Sequence, residues 1–136
     1  MEHRLSFSLY LAFKKVQMEY QRLADQIGLD SAPLAALREL WQQNGLTVTE
    51  LGEKLVLKAS TITSLVDRME RDGLVYRERG NDDRRVVKIY LTEQALKLQG
   101  RCPDFDEYLE QKLKPNFSDA EIKTLVKLLN KLESTL

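Results

Sequence analysis

Histidine and cysteine are almost missing from this 136-residue chain, which has one of each, His3 and Cys102. A lone cysteine excludes an intramolecular disulfide and fits a reducing, cytoplasmic setting. One His and one Cys cannot supply the neutral ligands of a transition-metal site, so no metal and no cofactor are expected. There is no nucleophile paired with a base and no phosphate loop, so the chain does not read as an enzyme. Nor is there a run of about 18 uncharged apolar residues, and no membrane span or membrane partner is expected. The first residues, MEHRLSFSLYLAFKKV, hold only a short, polar-interrupted apolar stretch and no small-residue cleavage site, so they do not read as a signal peptide. Low-complexity segments and internal repeats are absent. Net charge is absent too, with 21 basic and 21 acidic residues.

The chain does have 43% hydrophobic residues, enough for a core, and a charge distribution that is not flat. Residues 1–57 hold 6 basic and 7 acidic groups, residues 58–90 hold 8 and 6, and residues 91–136 hold 7 and 8. The middle is slightly positive between slightly negative flanks. A polyanion bound there would be held by a few placed arginines rather than by a broad field.

Periodicity predicts helices over most of the length. Leu5, Leu9, Ala12, Phe13, Val16, Tyr20, Leu23, Ala24 and Ile27 recur at steps of three and four, and Gly28 supplies a stop. So long a stripe needs a partner surface, either elsewhere in the chain or on a second subunit. Ser31-Ala32-Pro33 opens a second helix with Ser31 as its hydroxyl cap, and Asn44-Gly45 ends it. Thr47-Val48-Thr49-Glu50 is a capping box for a short third helix. Thr92 caps a later helix with Ala95, Leu96 and Leu98 inward. Pro103 kinks or breaks that helix, and Ser118 with Glu121 caps a final stripe from Ile122 to Leu136.

Residues 58–92 are the most telling. At about 100° per residue, Ile62, Leu65, Val66 and Met69 share one helix face. Ser60, Ser64, Asp67 and Arg71 lie opposite, with Thr61, Thr63 and Arg68 on the flanks, and Gly73 ends the helix. A strand, a Gly80-Asn81-Asp82-Asp83 turn and a return strand through Val86, Val87, Ile89 and Leu91 follow. These are the parts of a winged helix-turn-helix. The expected fold is mainly α with a two-stranded β-wing. Residues 30–92 form the winged helix-turn-helix, and residues 1–29 and 93–136 form flanking helices that pair two copies into a homodimer.

Ile27-Gly28-Leu29, Leu46-Thr47-Val48-Thr49-Glu50-Leu51, the run from Thr61 to Glu70, Gly73-Leu74-Val75, Asp83-Arg84-Arg85 and Leu91-Thr92, in this order and spacing, resemble the MarR family of transcriptional regulators. The resemblance covers nearly all of the chain. It implies a homodimer bound to double-stranded DNA at a pseudo-palindromic operator, usually as a repressor. Many members release DNA when a small aromatic acid, a metal ion or an oxidant acts, so a small aromatic effector is among the partners implied. Ser60, Thr61, Thr63, Ser64 and Arg68 match DNA-facing positions. Asp83 and Arg85 match the wing's Asp-x-Arg, and Asp67 matches an acidic position that commonly pairs with the wing arginine and sets the wing's angle. The chain departs from the family at Lys58, where a good cap is usual; Lys58 is open to reading as a weak cap or as a phosphate contact.

Plainer readings stand beside these. Arg84 and Arg85, solvated charges if isolated, fit phosphate or minor-groove contacts after such a helix. Four hydroxyls at Ser60, Thr61, Thr63 and Ser64 are poor helix formers that suit phosphates and base edges. One of Arg77 and Arg79 is expected to point to solvent. Tyr10, Phe13, Tyr20, Trp41 and Tyr108 read as core and dimer packing before they read as a ligand pocket. Cys102 reads as an ordinary half-buried thiol, and Asp104, Asp106, Glu107 and Glu110 as a solvated helix face. The alternative function is a winged-helix protein-interaction module without DNA binding, which the neutral net charge favours and Asp67, Asp83 and Arg85 oppose.

Overall fold

The computed structural model describes residues 4–136, so His3 lies outside it. The described residues form α1 (Leu5–Gln26), α2 (Ser31–Gln42), β1 (Leu46–Thr47), α3 (Val48–Leu55), α4 (Ala59–Arg71), β2 (Val75–Arg79), β3 (Val87–Leu91), α5 (Glu93–Gln99), α6 (Phe105–Leu113) and α7 (Asp119–Thr135). The architecture is mainly helical, with a winged hairpin after α4.

Local chemistry places most of the helix starts. Thr47 Oγ1 accepts from the Glu50 N–H at 3.0 Å, and the Glu50 carboxylate accepts from the Thr47 N–H at 2.9 Å. Those bonds hold the Glu50 carboxyl below its ordinary range. Ser118 and Glu121 repeat the box at α7. Thr92 caps α5 through the Ala95 N–H. The cap of α2 is Asp30 rather than Ser31: the Leu34 N–H already bonds to the Asp30 carbonyl, so the helical ladder starts one residue early. Pro103 breaks the helix, and Asp104 restarts it by accepting from the N–H groups of Asp106 and Glu107. Part of the acidic run is thus a cap followed by first-turn acids that complement the α6 dipole.

The sheet has three antiparallel strands in the order β1-β3-β2, one more than the expected wing. Leu46 and Thr47 pair with Ile89 and Lys88, which ties the start of α3 to the wing's return strand. Asn44 Oδ1 accepts from the Leu91 N–H at 2.9 Å, and the Gly45 N–H donates to the Ile89 carbonyl at 3.0 Å. Gly45 has φ +83°, and a Cβ there would lie 2.9 Å from the Tyr90 ring, so the crossing needs glycine twice over. Tyr90 in turn stacks on Tyr76 across the hairpin.

The core gathers Leu37 and Leu40 of α2, Leu46, Leu51 of α3, Ile62, Val66 and Met69 of α4, and Val75 and Ile89 of the hairpin. Ala95 and Leu98 of α5 join it, and Trp41 Nε1 donates to the Ala95 carbonyl at 3.0 Å. Leu96, expected inward, is exposed. It sits about 100° round the helix from Ala95, and α5 is too short to bury a second face.

The chain divides after Cys102 into two compact units. In the first, α1 buries Leu23 and Ala24 near its C-terminal end, while Leu5, Leu9, Phe13 and Val16 stay exposed. In the second, α6 buries Phe105, and α7 buries none of its residues. No helix among the described residues is long and apolar enough to cross a membrane.

One position in the helix-turn-helix is strained. Val56 ends α3 at φ 54°, the left-handed region that a β-branched side chain avoids, and it is 90% exposed. Its left-handed backbone costs about 1–2 kcal/mol, with no burial to offset that cost. Val56→Gly is expected to raise the melting temperature by about 2–4 °C, the gain being trimmed by the freer unfolded chain. A lower melting temperature in differential scanning calorimetry would contradict this account.

Candidate nucleic-acid interface

Burying Ile62, Leu65, Val66 and Met69 turns the rest of α4 outward. Ser60, Thr61, Thr63, Ser64 and Asp67 are exposed and Arg68 is half-buried. Lys58 stands at the cap position in an extended conformation, and its side chain makes no cap bond, leaving the ammonium exposed at the start of the helix. Lys58, Ser60, Thr61, Ser64 and Arg68 line one open groove of about 540 Å³ with Ala32, Leu57 and Leu65. Two cations and three hydroxyls over an apolar floor, with no carboxylate in the lining, suit phosphates and base edges. Thr63 is exposed on α4 outside that lining. The sequence reading missed Ala32, which comes from α2 and carries no local signal, and Leu57 in the turn.

The wing is built by its own backbone. The Gly80 N–H donates to the Val86 carbonyl, and the Val86 N–H to the Asp83 carbonyl. Arg79 Nη1 donates to the Arg84 carbonyl at 2.8 Å, so Arg79 braces the turn from the strand. Asp83 Oδ1 accepts from the Arg85 backbone N–H at 3.0 Å and from Nε at 3.1 Å, while Oδ2 accepts from Nη2 at 3.3 Å. The Arg85 guanidinium and then its backbone N–H hold the Asp83 carboxyl below its ordinary range. The Arg85 side chain remains 91% exposed, aimed outward by Asp83. Arg84 is exposed beside it.

Asp67 pairs with an arginine of the wing's first strand, Arg77, and not with Arg85 in the turn. Its carboxylate accepts from Arg77 Nη2 on β2, while Glu70 Oε1 accepts from Nη1 at 2.8 Å. The other Glu70 oxygen accepts from the Arg77 backbone N–H at 3.2 Å. The physical reason is distance along the fold: β2 runs directly off α4, so Arg77 meets the helix at once, whereas Arg85 sits in the turn at the far end of the hairpin. Arg77 and Arg79 are therefore both engaged within the chain. Glu70 was not singled out from sequence. Its one sequence signal is the i, i+3 spacing from Asp67, which puts two carboxylates on one helix edge ahead of a strand arginine.

Cys102 is half-buried, and burial pushes its thiol up despite the nearby Arg38 guanidinium. Such a thiol is a poor nucleophile. Arg38 lies over the Tyr20 ring, whose hydroxyl is raised mainly by burial. Among the described residues no group of three or more His, Cys, Asp and Glu side chains is placed to hold a metal ion.

Comparison with known proteins gives a consistent picture. The sequence model of the MarR family matches residues 29–87. The organic hydroperoxide resistance transcriptional regulator of Bacillus subtilis is 36% identical over 104 residues, covering 76% of this chain and 71% of that protein. The regulator MgrA of Staphylococcus aureus is 28% identical over 133 residues, covering 97% and 89%. In the crystal structure of an S. aureus MepR–DNA complex, the protein superposes with a TM-score of 0.88 at 25% identity, covering 99% of this chain and 100% of that one.

Proposed function

The chain belongs to the MarR family of transcriptional regulators, and we propose that it works in the cytoplasm as a homodimeric repressor of a pseudo-palindromic operator. It is a DNA-binding regulator and not an enzyme. In this reading α4 enters the major groove through Ser60, Thr61, Thr63, Ser64 and Arg68. Lys58 meets a phosphate at the helix start, and Arg84 and Arg85 reach the neighbouring backbone or minor groove. The observation that carries the reading is the carboxylate-free groove on α4, together with a wing whose Arg85 is held outward by Asp83. Operator occupation would exclude polymerase. A small aromatic effector that binds one dimer geometry better than another would change the spacing of the two recognition helices and release the DNA.

The first test is selection from a random-sequence duplex pool by the full-length protein at two salt concentrations. The expected result is an inverted repeat with half-sites about one helical turn, roughly 34–36 Å, apart. No enrichment at low salt would favour a protein-interaction module instead. On the selected duplex, Arg85→Ala is expected to weaken binding by about 1–3 kcal/mol and to lower the salt dependence by about one ion. Equal affinity for the variant and the parent in fluorescence anisotropy would remove the wing from the interface.

A further inference from the structure

We infer that Val56, in the turn between α3 and α4, is an apolar contact to the DNA duplex, seated on a thymine methyl or a deoxyribose edge at the N-terminal end of the recognition helix. The inference rests on the DNA-binding reading above and adds to it a residue whose side chain carries neither charge nor hydrogen bond.

The turn has the form that most often ends a helix in glycine. The Val56 N–H donates to the Glu53 carbonyl at 3.2 Å, and the Leu57 N–H donates to the Gly52 carbonyl at 2.8 Å. That pair of bonds goes with a left-handed residue at the first donor. Glycine takes the conformation freely, whereas a β-branched residue is the poorest choice for it. Val56 nevertheless holds it at φ 54°. The turn cannot relax around Val56, because Leu57 packs against the core directly after it. Burial does not repay the strain, since Val56 is 90% exposed. A side chain that is costly where it stands and idle in the free protein points to a functional position.

The place of Val56 in the chain says what covers it. Leu57 and Lys58, the next two residues, both line the groove on α4. Lys54 and Lys58, both exposed, stand two residues to either side of Val56. An apolar knob between two ammonium groups suits a duplex, where sugars and thymine methyls lie among phosphates. An apolar protein partner would meet a lysine on each side instead. The stripes that call for a second copy lie on α1 and α7, not on this turn. Valine has one strongly preferred rotamer in most settings, and the turn beneath it is pinned, so little freedom is lost on contact.

The test compares the parent with Val56→Gly and Val56→Ala on the selected inverted repeat, across a salt series. Val56→Gly should melt higher than the parent yet bind about fivefold more weakly, which is what covering roughly half of a valine side chain is worth. A purely structural role would not move stability and affinity in opposite directions. Val56→Ala keeps a Cβ on the left-handed backbone and should weaken binding comparably. The salt slope should be unchanged in both, because no phosphate contact is lost. Thymines of the repeat are then replaced one at a time by deoxyuridine. A position where the parent loses affinity and Val56→Gly loses none identifies the C5-methyl as the partner. A deficit of Val56→Gly that persists unchanged at every uridine assigns the contact to deoxyribose. Equal affinity of all three proteins would overturn the inference. So would a loss confined to Val56→Gly, which would trace to backbone freedom, or a salt slope lower by about one, which would trace to a displaced phosphate contact. A parent protein that selects no duplex would refute the DNA-binding reading itself, before any variant is made.

Discussion

A chain carrying Leu125→Asp together with Leu129→Asp is expected to sediment at half the mass of the parent and to lose at least about 100-fold in affinity for the inverted repeat. The argument starts from α7, a 17-residue helix with a complete capping box and no buried residue. A helix of about that length is marginal on its own in water, so its order calls for a partner along the apolar face. Leu125, Val126, Leu128 and Leu129 are all exposed, as are Leu5, Leu9, Phe13 and Val16 on α1. Monomers rarely leave large apolar stripes in water, and a second copy would cover each with a matching stripe. Leu125 and Leu129 are one turn apart, so two aspartates would bury charge at the centre of such an interface. Once the dimer is lost, each half-site must be found separately, and the gain from linking two modules disappears. Analytical ultracentrifugation of the parent as a monomer would refute the dimer; a double variant that remains dimeric would move the interface off α7.

Leu51→Ala is expected to cost about 2–5 kcal/mol, out of a total stability of roughly 5–15 kcal/mol. Leu51 is fully buried between α2 and α4, in the core that also holds Leu37, Leu40, Ile62 and Ile89. Both helices of the helix-turn-helix lean on it, and β1 ties its helix to the wing, so collapse around the cavity would have to shift several elements together. A denaturant midpoint displaced at unchanged slope would report this loss. A change below about 1 kcal/mol would mean that the site closes freely and that this core is not packed as one body.

What the sequence made readable was local. Thr47 with Glu50 and Ser118 with Glu121 form their boxes within a single turn, so spacing alone identified them. The outward hydroxyls of α4 followed from the positions of Ile62, Leu65, Val66 and Met69, because a buried face dictates its opposite. Pairings between distant residues were not readable. The strand at Leu46 and Thr47 is too short for a periodic signal and exists only because Ile89 and Lys88 pair with it. Asp67 had two arginines to choose from, Arg77 and Arg85. The choice is set by where β2 leaves the helix, which spacing does not encode. One of Arg77 and Arg79 was expected to point to solvent, but the partner of Arg79 is a backbone carbonyl, and carbonyls leave no mark in a sequence.

The central place of β3 in the sheet bears on how copies of this protein behave when crowded. Only β1 and β2 present open edges. β1 is two residues long and offers almost nothing for another chain to pair with. β2 ends in Arg77, Glu78 and Arg79, and charges of that kind along a rim deter strand addition. The folded protein can therefore carry a β-hairpin without offering a template for fibre growth.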